Sequence, residues 1–293
     1  MTDDQTFPLE WTANGPVVLS VFEDSLEHPL DLSAVSSEEL DRAGRYRIEE
    51  KQRQFLFTRS IGREILAAHF QVSPREIEWG VSGPMDVRIQ GESPPACFSC
   101  SHSGTFGVLA IGPPGKNVGV DLELSAQRID VDSLARFCFT DQERVILGRT
   151  PVEQQSRLLI QTWVLKESIL KAERNNPAFS PLALELGWEQ LCSADRGVFF
   201  RPGNEITWLN SLRGTRGKTT NWGIGAFEFP AGRNETPVWL AVAVCDREPG
   251  EYPAGMSAVR EKCLPVRFER WFPGDREFPQ NVSLGRNVFL ATI

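Results

Sequence analysis

Apolar and polar positions alternate or recur along this chain in a way that lays out most of its elements. Pro16–Phe22 (PVVLSVF) is apolar and rich in β-branched residues, which predicts a first, half-buried strand. Ser36-Ser37-Glu38-Glu39 places a serine cap before early acids and opens a helix. A longer helix is predicted from about Glu49 to Phe70, with Phe55, Ile61, Ile65 and Leu66 on its apolar stripe. Ser73-Pro74 ends it, Ile77-Glu78-Trp79 reads as a strand, and Gly91–Pro95 as a loop. Thr105–Ile111 (TFGVLAI) is another strand, closed by the turn cluster Gly112-Pro113-Pro114-Gly115. Val118–Leu122 follows as a short strand. Val131–Phe137 and Asp141–Leu147 read as helices, and Arg157–Glu173 as a long one. Phe199–Phe200, Trp222–Phe229 and Val238–Val244 read as antiparallel strands. Beyond Asp246 the periodicity fades, and residues 247–293 form a tail to which no element is assigned.

Composition narrows the class. The chain has 293 residues, 41% hydrophobic and 24% charged, as a soluble globular protein does. That length suits one large domain or two similar halves. A net charge of −8 argues against a dedicated nucleic-acid binder. An anionic ligand then needs a local basic patch, and Arg42, Arg45, Arg47, Lys51, Arg53, Arg59 and Arg63 offer one. The plainer reading of that run is a solvated helix face balanced by Asp41, Glu49, Glu50 and Glu64. Cys97 and Cys100 form a CxxC that no second pair completes as a zinc set, so the six cysteines read as small core thiols. Met1–Pro8 lacks an apolar signal core, and no apolar run reaches the roughly 20 residues of a membrane helix. A cytoplasmic protein without membrane contact is expected.

Three segments carry candidate chemistry. In Asn117–Glu123 (NVGVDLE) strand alternation sends Val118, Val120 and Leu122 to the core and puts Gly119, Asp121 and Glu123 on the other face. Two carboxylates so placed suit a hard cation such as Mg²⁺, although a strand running out into solvent would look the same. In Trp163–Lys171 (WVLKESILK) the stripe Leu158, Thr162, Leu165, Ile169 lies opposite Glu167. Glu167 shares its face with Ile160, Trp163, Val164 and Lys171, so the helix is covered on both faces and this acid is partly dry. Such a carboxylate needs a cation, supplied by Lys171 at i+4 or by a metal. Phe98–Gly104 (FSCSHSG) reads as a loop offering N–H groups, hydroxyls and the His102 imidazole to a phosphate, or as a plain polar turn.

Taken in this order, the segments resemble the phosphopantetheinyl transferase superfamily, in its larger, surfactin-synthetase-activating type. That family carries Phe-Asn-x-Ser-His-Ser, then Gly-x-Asp-x-Glu, then Trp-x-x-Lys-Glu-Ser-x-x-Lys. Here these are Phe98–Ser103, Gly119–Glu123 and Trp163–Lys171. Arg136–Glu143 is similar to a further family stretch. The chain departs at Ser99, where the family has Asn, at Ser82–Met85, where a loop lysine is missing, and at Glu39, where a lysine is common.

The resemblance implies an α+β fold, a pseudo-dimer of two similar halves with coenzyme A in the cleft between them. The halves would be residues 1–116 and 117–246, with 247–293 as the tail. It implies Asp121, Glu123 and Glu167 as ligands of Mg²⁺, with Mn²⁺ as a substitute. It implies Arg42, Arg53, Ser101, His102 and Lys171 as contacts to coenzyme A, and Glu167, Lys171 and His102 as catalytic. The implied reaction moves 4′-phosphopantetheine from coenzyme A to a serine of an apo acyl or peptidyl carrier protein and releases 3′,5′-ADP. A chain carrying both halves has less need to dimerise, so a monomer is expected. A non-catalytic binder of coenzyme A or carrier protein is the alternative. A nucleotide phosphotransferase of another kind lacks its signature, since no GxxxxGK[ST] occurs.

Overall fold

Alternation within each strand decides which face meets which neighbour, and the layers follow. The computed structural model describes residues 17–24, 30–80, 86–94, 96–124, 130–173, 180–184, 186, 207–213, 219–231, 236–246 and 266–271. The fold is α+β. Strands β1 (Val17–Glu23), β4 (Cys97–Ser103), β5 (Phe106–Gly112) and β10 (Val266–Trp271) form one sheet in the order β10-β1-β5-β4. Strands β6 (Lys116–Leu124), β7 (Thr207–Arg213), β8 (Thr219–Ala231) and β9 (Thr236–Asp246) form a second, ordered β6-β9-β8-β7. The short pair β2 (Ile77–Trp79) and β3 (Val87–Ile89) stands apart.

The two large sheets face each other through a dry layer. Val17, Leu19 and Val21 of β1 and Val108 and Ala110 of β5 meet Val118, Val120 and Leu122 of β6 and Val238 to Val244 of β9, taken alternately. The opposite faces carry helices. Helix α1 (Ser37–Ala43) has the expected capping box, Ser36 with Glu39. Helix α2 (Glu49–Phe70) lays Phe57, Ile61 and Ile65 on Val18, Phe22, Leu109 and Ile111. On the second sheet, α3 (Val131–Cys138), α4 (Asp141–Arg149) and α5 (Val152–Ala172) cover Trp239, Ala241 and Ala243.

Several expectations change. Phe98–Gly104 is not a loop. Seven of its neighbourhood's residues, Cys97–Ser103, form β4, because Phe98 and Cys100 point to the α2 face while every second residue is polar. Within the tail, Val266–Trp271 pairs in parallel with β1, whose edge would otherwise leave backbone groups unpaired. The strand expected at Phe199–Phe200 lies outside the described residues. The basic run is not a solvated face along its whole length. Arg59 and Arg63 are buried and close on the equally buried Glu39, with Arg63 Nη2 2.7 Å from its Oε2. Glu39 therefore serves as the counter-ion of α2. Cys97, Cys138 and Cys245 are buried, as the core reading expects.

One glycine sets the distance between α5 and β6. A Cβ on Gly119 would stand 1.9 Å from the Ser168 carbonyl oxygen and 2.4 Å from the Ala172 amide nitrogen. Backbone cannot yield as a side chain tip can. Gly119→Ala is expected to push α5 off β6 and to cost about 1–3 kcal/mol, measured by urea unfolding. The 2.7 Å contact between Lys171 and Asp121 loosens with it, because these two side chains face each other across the same α5–β6 seam.

Candidate active site

Sheet edges meet where the chemistry-bearing residues gather. β4 ends one sheet and β6 ends the other. Amides along an edge need partners, and here serine hydroxyls supply them. Val120 N–H donates to Ser99 Oγ at 3.1 Å, and Leu124 N–H donates to Ser103 Oγ at 3.3 Å. The same row of serines reaches the acids of β6. Ser101 Oγ donates to Asp121 Oδ1, and Ser103 Oγ to Glu123 Oε2, each at 2.7 Å.

Lys171 comes from α5 on the other side. Its Nζ lies 2.7 Å from Asp121 Oδ1 and 3.1 Å from the Val120 carbonyl. Burial disfavours its ammonium, but Asp121 outweighs that through charge and hydrogen bond, so its proton affinity is raised. Asp121 is almost fully buried, and its second oxygen, Oδ2, is buried with no hydrogen-bond partner among the described residues. An orphaned carboxylate oxygen in a dry place is costly unless a donor or a cation meets it.

Glu167 is half-buried, with Ile160 and Val164 buried and Trp163 partly so, as the two-sided reading of α5 anticipated. Burial raises its proton affinity first, and the Asp121 charge adds to this. Lys171 opposes the rise, and Glu123 reinforces it. Glu123 is raised too, by burial above all, against the Ser103 hydrogen bond. Three carboxylates therefore interact with one ammonium. The i+4 partner proposed for Glu167 is bonded to Asp121 and acts on Glu167 through space.

The other candidate residues fall on the α2 side. His102 is exposed on β4, yet burial of its imidazole, then the charges of Lys51 and Lys171, lowers its proton affinity. The ring is neutral near pH 7. Arg53 makes two 2.7 Å hydrogen bonds to Asp24, and Arg42 lies over the Phe55 ring at 5.2 Å. Ser101, expected to contact coenzyme A, gives its proton to Asp121.

Donor chemistry allows a test of whether a hard cation fits. The donors are carboxylate oxygens, negative charge is in excess, and one buried oxygen is unmatched. Those features suit Mg²⁺. Among the described residues no three His, Cys, Asp or Glu side chains form a ready metal cluster. Mg²⁺ is commonly held by one or two carboxylates together with substrate phosphates, so the absence of a closed protein cage does not count against it.

Residues 117–212 match the family model of the 4′-phosphopantetheinyl transferase superfamily. The matched stretch contains β6 from Asn117 onward and α5, and thus Asp121, Glu123, Glu167 and Lys171, and the resemblance to the superfamily is borne out. The chain is similar to the 4′-phosphopantetheinyl transferase HetI of Nostoc sp., with 32% identity over 145 residues. That alignment covers 48% of this chain and 61% of HetI. It is also similar to slr0495 of Synechocystis sp., to which the same transferase activity is provisionally ascribed, at 30% identity over 140 residues, 47% of this chain and 56% of the relative. The alignments thus span less than two thirds of either relative.

Two features escaped the sequence reading. The transferase motif Trp163–Lys171 contains Lys166, which is fully buried. Its Nζ lies 2.5 Å from the buried Glu143 carboxylate and donates to the carbonyls of Cys138 and Pro181. It clamps α3, α4 and α5 together and stands apart from the chemistry. The second feature is the serine row. Its period of two at 99, 101 and 103 was visible, but only the β6 edge shows what it faces. No described helix is long and apolar enough to cross a membrane.

Proposed function

We propose that this chain transfers 4′-phosphopantetheine from coenzyme A to a serine of an apo carrier protein and releases 3′,5′-ADP. The observation that carries this reading is the buried Oδ2 of Asp121, unpartnered among the described residues, on a carboxylate whose charge acts on Glu123, Glu167 and Lys171 within the stretch that matches the superfamily. Residues 1–116 and 117–246 are taken as the two halves, with coenzyme A between them. Asp121, Glu123 and Glu167 would hold Mg²⁺ or Mn²⁺. When bound, that ion supplies Lewis acidity toward the diphosphate.

This chain's own groups account for the remainder. Phosphoryl transfer asks for positioning and charge compensation more than covalent help. The carrier serine oxygen forms a bond to the β-phosphorus, and the bond from that phosphorus to the 3′,5′-ADP oxygen breaks. The serine proton passes to Glu167, the half-buried carboxylate that α5 turns toward Asp121 and Lys171. Lys171, kept charged by Asp121, offsets negative charge on the leaving group. Neutral His102 donates a hydrogen bond to a phosphate oxygen. Ser101 holds Asp121 in place, and Arg42 and Arg53 supply positive charge on the α1–α2 side.

The test is mass spectrometry of apo acyl and peptidyl carrier proteins incubated with the full chain, coenzyme A and Mg²⁺. A gain of one phosphopantetheine arm on the carrier serine is expected, and chelation by EDTA should abolish it. Unchanged mass across all carriers, with coenzyme A binding intact, would instead identify a non-catalytic binder.

A further inference from the structure

A hydroxyl has one proton to give, and in β4 the direction of that proton differs from serine to serine. Ser99, Ser101 and Ser103 share one face of the strand because side chains alternate. Among the described residues Ser99 Oγ is engaged with β6 backbone, accepting the Val120 N–H. Ser103 does two things at once. Its oxygen accepts the Leu124 N–H at 3.3 Å, and its proton goes to Glu123 Oε2 at 2.7 Å. With one lone pair held by the amide, the hydroxyl is turned toward the carboxylate. Ser103 is buried, at 5% exposure, so water does not readily take over that role.

The next residue reinforces the arrangement. Gly104 turns the chain from β4 to β5 at φ +57°, a conformation glycine adopts without strain. A Cβ there would stand 2.3 Å from Leu124 Cδ1, so the turn packs against the very residue whose amide Ser103 receives. Gln54 of α2 donates to the Gly104 carbonyl at 2.5 Å. Ser103 is thus held from both sides.

Resting on the reading given under Proposed function, we infer that Ser103 is a positioning residue for the cation. It fixes the Glu123 carboxylate through Oε2 and leaves Oε1 for a metal. Groups that orient a ligand from behind typically change metal affinity about 10–100-fold when removed. The inference separates Ser103 from Ser99, which stitches the same two strands and bonds no acid among the described residues.

The experiment titrates Mn²⁺ into the full chain by calorimetry, in the presence of coenzyme A, for wild type, Ser103→Ala, Ser103→Thr and Ser99→Ala. Thermal melts accompany each. Ser103→Ala is expected to bind Mn²⁺ about 10-fold more weakly or worse. Ser103→Thr, which keeps the hydroxyl, should bind more tightly than Ser103→Ala, and Ser99→Ala should keep wild-type affinity. In the transfer assay Ser103→Ala should need more Mg²⁺ for half-maximal rate and recover kcat at saturation. Equal Mn²⁺ affinity in wild type and Ser103→Ala overturns the inference alone. So does equal weakening by Ser99→Ala, which would assign the effect to the seam. Should Ser103→Ala fail to fold, a Ser103→Thr affinity that matches wild type supports the inference, and a loss there as large as that of Glu123→Gln overturns it. A wild-type chain that binds no Mn²⁺ overturns the metal reading and this inference together.

Discussion

Under the proposed function, Glu167→Gln is expected to lose transfer activity by about 100-fold or more, while its melting temperature stays at or above that of wild type. The two outcomes have one cause. Burial and the neighbouring Asp121 charge push the Glu167 carboxyl above the ordinary carboxylate range. Between the ordinary value and the raised one, the folded chain still holds a proton that the unfolded chain has released. Ionising Glu167 therefore costs the native state. Stability from this group is full below the ordinary carboxylate range and is lost as pH rises through the raised value. Gln removes that loss because it cannot ionise, and it also removes the proposed base. Differential scanning calorimetry across pH, with EDTA present, should show the wild-type melting temperature falling over that interval and the variant's falling less. A variant that retains turnover excludes Glu167 as the proton acceptor.

Lys166→Met is the variant expected to damage the fold most. Lys166 and Glu143 are both fully buried, and the ammonium completes its shell with two carbonyls. Removing the lysine leaves Glu143 charged in a dry place, with the Thr140 and Leu186 amides as its donors. Breaking one side of such a pair costs about 3–5 kcal/mol. Urea unfolding should show the midpoint falling accordingly, with the slope unchanged. Lost activity in this variant should track the folded fraction, unlike Glu167→Gln, where the protein stays folded. A Lys166→Met protein as stable as wild type would exclude the Lys166–Glu143 pair as a determinant of how α3, α4 and α5 pack.

Both residues sit side by side in one motif, and their divergence shows how sequence and structure divide the work. Local pattern was enough for most elements. The 22 residues of α2 were legible at both ends, because apolar periodicity, early acids and the break at Ser73-Pro74 are all local signals. The two faces of β6 were legible for the same reason, since alternation alone separates Val118, Val120 and Leu122 from Gly119, Asp121 and Glu123. The partly dry setting of Glu167 followed from Ile160, Trp163 and Val164 on its face.

Strand β4 was not legible in that way. Its polar half reads as loop until the edge of β6 is known, because serines become strand residues only when amides and carboxylates across a seam use their hydroxyls. Strand β10 was lost for a similar reason, being placed by pairing with a strand almost 250 positions earlier. Nor did spacing within one helix reveal that Lys171 would choose Asp121, or that Arg59 and Arg63 would be drawn inward onto Glu39. The sequence by itself determined the helices, the strand faces and the residue types that bear the chemistry, since these depend on neighbours a few positions away. Which acid meets which cation, and which serine holds which acid, was decided only by tertiary structure. Charges and hydrogen bonds of that kind act over a few ångströms in space between residues far apart along the chain.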